Sequence, residues 1–211
     1  MNPYSKLMTH KLSFFSLLFL LLGSSLWAQQ TTYSLDPTST FSVVGTSTMH
    51  DWTATTSEIT GEISLENSLS SLENAPEGNS VGSVSLDITV ASLDGGRGKI
   101  MNDKIKKALK ATEHPDIQYN LTSGTISEVA TEEAGLFTLL TTGTLSMSGA
   151  KKEVEISLAG KLLDNQAFSF EGEYAMKMSE FGITPPSAMF GQIQTDDDVV
   201  VKFSLVLQPN P

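Results

Sequence analysis

Beyond its first few tens of residues the chain offers very little reactive chemistry: two histidines, His50 and His114, and no cysteine. His50 and Asp51 are adjacent, so on a strand they point to opposite faces and cannot work as a dyad. His50 is then either a locally hydrogen-bonded structural residue or one that touches a ligand; His114, beside Pro115, reads as a loop residue. Two isolated histidines without thiolates do not make a zinc site. The run Asp196, Asp197, Asp198 lacks the spaced ligands and the glycine of a calcium loop, and reads as a solvated charge run before a strand. Residues 95–99, GGRGK, lack the spacing of a phosphate-binding loop and read as a turn into a helix. No serine or aspartate can be matched to either histidine as a triad. The expectation is no catalytic residue, no metal and no cofactor.

One charge feature remains. Arg97, Lys99, Lys104, Lys106, Lys107 and Lys110 stand close together with a single acid among them, Asp103. They form either a solvated helix face, with Asp103 and Lys107 as an i,i+4 pair, or a local positive patch that meets an anionic head group or an acidic partner. The chain as a whole is nevertheless acidic, with a formal net charge of −11. That balance opposes binding to nucleic acid or to anionic membrane surfaces.

The first residues read as a secretory leader. Lys6, His10 and Lys11 are followed by the apolar run LSFFSLLFLLLG at 12–23 and a short region ending in Ala28. The run is too short to span a bilayer, so residues 1–28 are read as a signal peptide and 29–211 as one exported domain, periplasmic or secreted. Without cysteine that domain must hold itself by packing and ladder hydrogen bonds.

The elements are legible from periodicity. Val84, Leu86, Ile88 and Val90 alternate with polar residues, as do Ile59, Gly61, Ile63 and Leu65. Phe137 to Met147, Phe168 to Met178 and Val199 to Leu207 repeat the pattern, giving eight to nine strands. The segment 96–119 breaks it: Met101, Ile105, Ala108 and Leu109 fall on one helical face, and Pro115 ends the helix. Sequential strands with short turns predict an all-β fold: an antiparallel eight-stranded barrel, lipocalin-like, with one short amphipathic helix over one end. The polar face carries Glu62, Asp87, Glu153, Glu155, Glu171, Glu173 and Lys202, so the apolar face points inward and the barrel is not membrane-spanning.

Such a barrel is either filled by its own side chains or holds one small ligand. Gly61, Gly143 and Gly172 fall in the inward register, where they either free volume or mark bends. Met147, Met176 and Met178 add adaptable lining. Residues 179–198 are a long, apolar loop read as a mouth or wall of the barrel.

Five stretches resemble the YceI-like family of exported proteins: YSLD at 33–36, GTSTMHDW at 45–52, ALKATEHPDIQY at 108–119, GTLSMSGAKK at 143–152 and MSEFGITPPSAMFG at 178–191. The resemblance implies a lipocalin-like barrel whose apolar pore holds a long-chain lipid, typically a polyisoprenoid or fatty-acid-like molecule. Two motifs of many members are absent. Thr38-Ser39 stands where a His-Ser pair is common, and no Arg-Asp-x-His-Leu run precedes the helix. The expected ligand-lining residues are Phe41, Val43, Leu86, Ile88, Leu139, Phe168, Phe170, Tyr174 and Phe203, with Phe181 and Phe190 from the long loop. A barrel filled by its own side chains and acting as an interaction module is the alternative, and a homodimer is left open.

Overall fold

The computed structural model describes residues 30–66, 69, 81–130 and 135–211; the leader, most of the 70–82 loop and residues 131–134 lie outside the described residues. Two bent strands begin the sheet. β1 (Gln30–Leu35) and β2 (Thr40–Ser47) both run along the last strand, β11 (Ile193–Pro209), with Leu35 paired to Leu207 and Thr40 to Ser204. The chain returns as β3 (Trp52–Thr56) against β2 and β4 (Ile59–Glu66) against β1. Each collinear pair acts as one stave. β5 (Gly82–Thr89), β6 (Asp116–Val129), β7 (Leu136–Met147), β8 (Ala150–Leu162) and β9 (Phe168–Lys177) follow, each antiparallel to the one before. β9 pairs with β11, which closes on β1 and β2. Eight staves thus complete an up-and-down antiparallel barrel, as the alternation predicts. A two-residue strand, β10 (Ser187–Ala188), folds back on the start of β11.

The bend between β1 and β2 has a local cause. Pro37 removes a ladder donor, and the Asp36 carboxylate accepts from the Thr38 amide at 2.9 Å and the Thr38 hydroxyl at 2.7 Å. These bonds hold the Asp36 carboxyl below its ordinary pKa. The buried Ser39 then stitches the corner to β11, its hydroxyl accepting from the Val206 amide at 3.0 Å. Register shifts in β6 and β11 supply further curvature.

The two ends of the barrel differ. At one, Tyr33, Phe137, Phe168 and Phe170 form a chain of ring contacts with centroids 5.7–6.3 Å apart, and Phe168 is completely buried. These rings, from β1, β7 and β9, form an aromatic plug. Over the other end lie α1 (Lys99–Ala108), the β2–β3 hairpin tip and the segment 178–192. α1 is pinned at both ends. Asn102 accepts from the Gly95 amide at 2.9 Å and donates to Asp94 at 3.1 Å, while Ser148 donates to the Leu109 carbonyl at 3.1 Å. The ion pair on the helix is Lys99–Asp103, not the expected Asp103–Lys107. Both its partners are well exposed, so it contributes little.

The inward glycines resolve as close approaches, not as free volume. A Cβ on Gly143 would lie 2.5 Å from the Tyr119 ring, and one on Gly172 would lie 2.6 Å from Phe203 and 2.7 Å from Leu158. On Gly61 it would collide with the Ser85 carbonyl oxygen. Cross-strand rings and backbone take the space each glycine leaves.

Two predictions follow from this packing. Gly143→Ala should destabilise the barrel by about 1–3 kcal/mol, read from urea unfolding, because the Tyr119 ring has to move. Asp197 accepts from the Ser179 amide and hydroxyl at 2.8 and 2.5 Å, and these bonds lower its pKa. Its contribution is present above the ordinary carboxylate pKa and is lost as pH falls through the lowered folded value. Asp197→Asn should therefore narrow the difference in unfolding midpoint between neutral pH and about pH 3; an unchanged difference would show the bonds carry no linkage.

Candidate functional site

The inward face of an eight-stave barrel is set by strand alternation: β7 buries Phe137, Leu139, Thr141, Gly143, Leu145 and Met147 and turns the residues between them outward. Between plug and cover these side chains leave part of the interior unfilled, as two cavities. The outer one, under α1, has a volume of about 230 Å³ and the inner one about 120 Å³. Phe41, Ile117 and Val201 line both and form a waist between them. Together they reach the lower edge of the range for ligand pockets, roughly 300–1,000 Å³.

The inner cavity is apolar. Leu86, Ile88, Leu139, Phe170, Tyr174 and Phe203 line it, together with Ile59, Ile63, Leu145 and Ile156. Two of its hydroxyls are engaged within the wall: that of Tyr119 donates to Thr141 at 3.3 Å, and that of Thr141 donates to the Ile156 carbonyl at 2.9 Å. Burial pushes the phenol pKa of Tyr119 and Tyr174 upward, with Glu180 adding to the shift at Tyr174. Both hydroxyls therefore stay neutral and proton-bearing in ordinary buffers.

The outer cavity combines three walls. Val43, Trp52 and Ala54 come from the β2–β3 hairpin, Met101, Ile105, Ala108 and Leu109 from α1 and its end, and Met147, Met176, Met178 and Ile183 from the barrel rim and the long segment. The helical face predicted from the spacing of Met101, Ile105, Ala108 and Leu109 is thus the roof of this cavity. Trp52 is locked in place. Its indole nitrogen donates to the Thr46 carbonyl at 3.1 Å, and its ring lies over Gly45, where a Cβ would come within 2.5 Å.

Of the residues expected to line the interior, Phe41, Val43, Leu86, Ile88, Leu139, Phe170, Tyr174 and Phe203 stand on these walls. Three do not. Phe168 shares the inward face but lies one step nearer the barrel end, where it completes the plug. Phe181 is fully buried behind the wall, with the Lys152 ammonium 5.6 Å from its ring centroid. Phe190 is fully exposed, beside an exposed Met189; both have a left-handed backbone at the tip of the β10–β11 turn. The sequence does not reveal β3 or its Ala54, nor does it decide whether Met49 or Trp52 faces the cavity; all three line the outer one. The signal was the alternation of Trp52, Ala54 and Thr56, short and weak in apolar content.

The residues first weighed for chemistry are dispersed. His50 sits at the hairpin tip on the rim of the outer cavity, its Nδ1 2.9 Å from the Asp51 carbonyl oxygen. His114 packs on Gly149 at the β7–β8 turn. Asp196 accepts from Thr46, Asp197 from Ser179, and Asp198 pairs with Lys177 at 2.7 Å, which raises the lysine pKa. Among the described residues no three His, Asp or Glu side chains gather as a metal site, and no helix is long and apolar enough to cross a membrane.

The barrel resembles solved structures across nearly their whole length. Burkholderia cenocepacia BcnA is 20% identical, covering 82% of this chain and 98% of that one, with a TM-score of 0.63. A polyisoprenoid-binding domain from Saccharophagus degradans, implicated in plant cell wall breakdown, is 15% identical over 85% and 99%, with a TM-score of 0.61. At such identities the likeness is one of fold. None of the curated proteins matches the chain. The YceI-like domain family, however, matches residues 33–207, from Tyr33 in the plug to Leu207 at the far end of the closing strand. The chain belongs to the YceI-like family.

Proposed function

We propose that this protein is an exported lipid-binding barrel, which holds a long-chain apolar ligand of the polyisoprenoid or fatty-acid type along its axis. The observation that carries this reading is the pair of adjoining apolar cavities, stopped at one end by the aromatic plug and roofed at the other by α1. The Saccharophagus neighbour, a polyisoprenoid-binding domain on the same fold, supports it. Affinity would come from burial of the tail, at about 0.8 kcal/mol per CH₂ before ordering costs. We read the barrel as a binder that does no covalent chemistry; His50, on the outer rim, is hydrogen-bonded to the Asp51 carbonyl. The leader-like sequence of residues 1–28 supports an activity outside the cytoplasm, in the periplasm or secreted.

A second reading, an interaction module, has one observation in its favour: the exposed pair Met189 and Phe190 at the cavity end of the molecule. It accounts for the loop but leaves the two cavities without a role. Homodimer formation through this loop would show as a mass change lost in Phe190→Ser, with lipid uptake retained.

The waist separates the readings. Val201→Trp places an indole between the cavities and should weaken uptake of a fluorescent long-chain lipid by about tenfold or more. A variant that folds normally and binds as tightly as the parent would remove the axial cavities from the account.

A further inference from the structure

The two cavities differ in one respect that bears on what they hold. The inner one has no charged residue on its wall, and its Tyr119 and Thr141 hydroxyls are already bonded to the protein. The outer one is lined by Arg97 and Lys104, with His50 on its rim, and by no carboxylate. In a chain with 24 acidic and 13 basic residues, that bias is contrary to composition.

Lys104 makes the case sharper. It lies three residues from Met101 and four from Ala108, inside the apolar face of α1 that roofs the cavity. A helix serving only as an apolar cover would carry an aliphatic residue there. Lys104 is exposed yet lines the cavity, and a lysine in such a place can lay its methylenes along an apolar roof while its ammonium stays in water. Neither the Lys104 nor the Arg97 side chain makes a hydrogen bond or ion pair with any described residue. Asp103, the acid next to Lys104, is taken by Lys99. Asp51 and Asp94 share an outer notch with Arg97, but Asp94 accepts from the Gly96 amide and Asn102, and neither carboxylate comes within ion-pair distance of the guanidinium. Lys110, by contrast, is used structurally, donating to the Ser148 carbonyl at 3.3 Å.

We propose that the outer cavity is a head-group site for an anionic amphiphile: Arg97 and Lys104 hold a carboxylate or phosphate at the mouth while the tail runs past the waist into the inner cavity. The proposal rests on the lipid-binding reading of the same cavities and adds the sign of the ligand's charge and its direction in the barrel. A guanidinium matches the planar oxygens of either head, and the ammonium supplies the second contact.

The test is competition against a bound fluorescent long-chain alcohol on the intact mature protein, with four competitors: palmitic acid, hexadecyl phosphate, hexadecanol and inorganic phosphate. Palmitic acid and hexadecyl phosphate should compete about tenfold or more better than hexadecanol, and inorganic phosphate should not compete. Replacing both cations (Arg97→Gln with Lys104→Gln) should erase that advantage and leave hexadecanol within about twofold of its parent value. The control pair Lys106→Gln with Lys107→Gln removes the same charge from the helix at positions off the cavity wall and should leave the advantage intact. Equal competition by acid and alcohol overturns the head-group site while leaving lipid binding in place, and so does equal loss in the control pair. Competition by inorganic phosphate overturns the amphiphile and leaves a bare anion site. Failure of the probe and of every long-chain competitor overturns the lipid-binding reading itself.

Discussion

Closure of the sheet is the constraint on which everything else in this molecule depends. A barrel of eight antiparallel staves leaves no edge to pair with another chain, and its diameter is fixed by strand number and stagger, not by what its interior happens to contain. The inward side chains must then fill a given width or leave part of it empty. Here large rings meet across the axis at one end only, in the contacts of Tyr33, Phe137, Phe168 and Phe170. Further along, leucines, isoleucines and methionines line the interior without filling it, and the cavities are what remains.

That asymmetry gives the barrel a direction. The plugged end is covalently simple and tightly packed. The other end is assembled from three separate pieces of chain, each held by specific hydrogen bonds: α1 by Asn102 and Ser148, the hairpin tip by Ser47, and the 178–192 segment by Asp197. Polarity follows the same direction, from a charge-free inner wall to an outer wall that carries Arg97 and Lys104. The electrostatics of the mouth thus oppose the acidic character of the molecule as a whole.

The architecture was largely legible in the sequence because alternation with period two reports which face of a strand is buried, and a break in alternation reports the helix. The roof formed by Met101, Ile105, Ala108 and Leu109 could be read from spacing alone. What alternation does not encode is position along the barrel axis. Phe168 and Phe170 share a face and were indistinguishable on paper, yet one completes the plug and the other lines the inner cavity. Apolar content in a loop carries no direction either: Phe181 turned inward and Phe190 outward. The basic residues of α1 could not be sorted from sequence between a solvated face and a local positive patch; the fold puts Lys104 on the wall of the outer cavity. The inward glycines misled in a different way, since their missing side chains are replaced by neighbours such as Tyr119 and Phe203 that only the register of adjacent strands brings close.

The central claim is that the space between plug and roof holds an amphiphile in the living cell. Mass spectrometry of an organic extract of the mature protein, purified without added lipid or detergent, tests it most directly. The account predicts a long-chain species at close to one per protein chain, retained through purification and released on unfolding. An extract with no lipid above background, from a protein that also takes up none when it is offered, would contradict it.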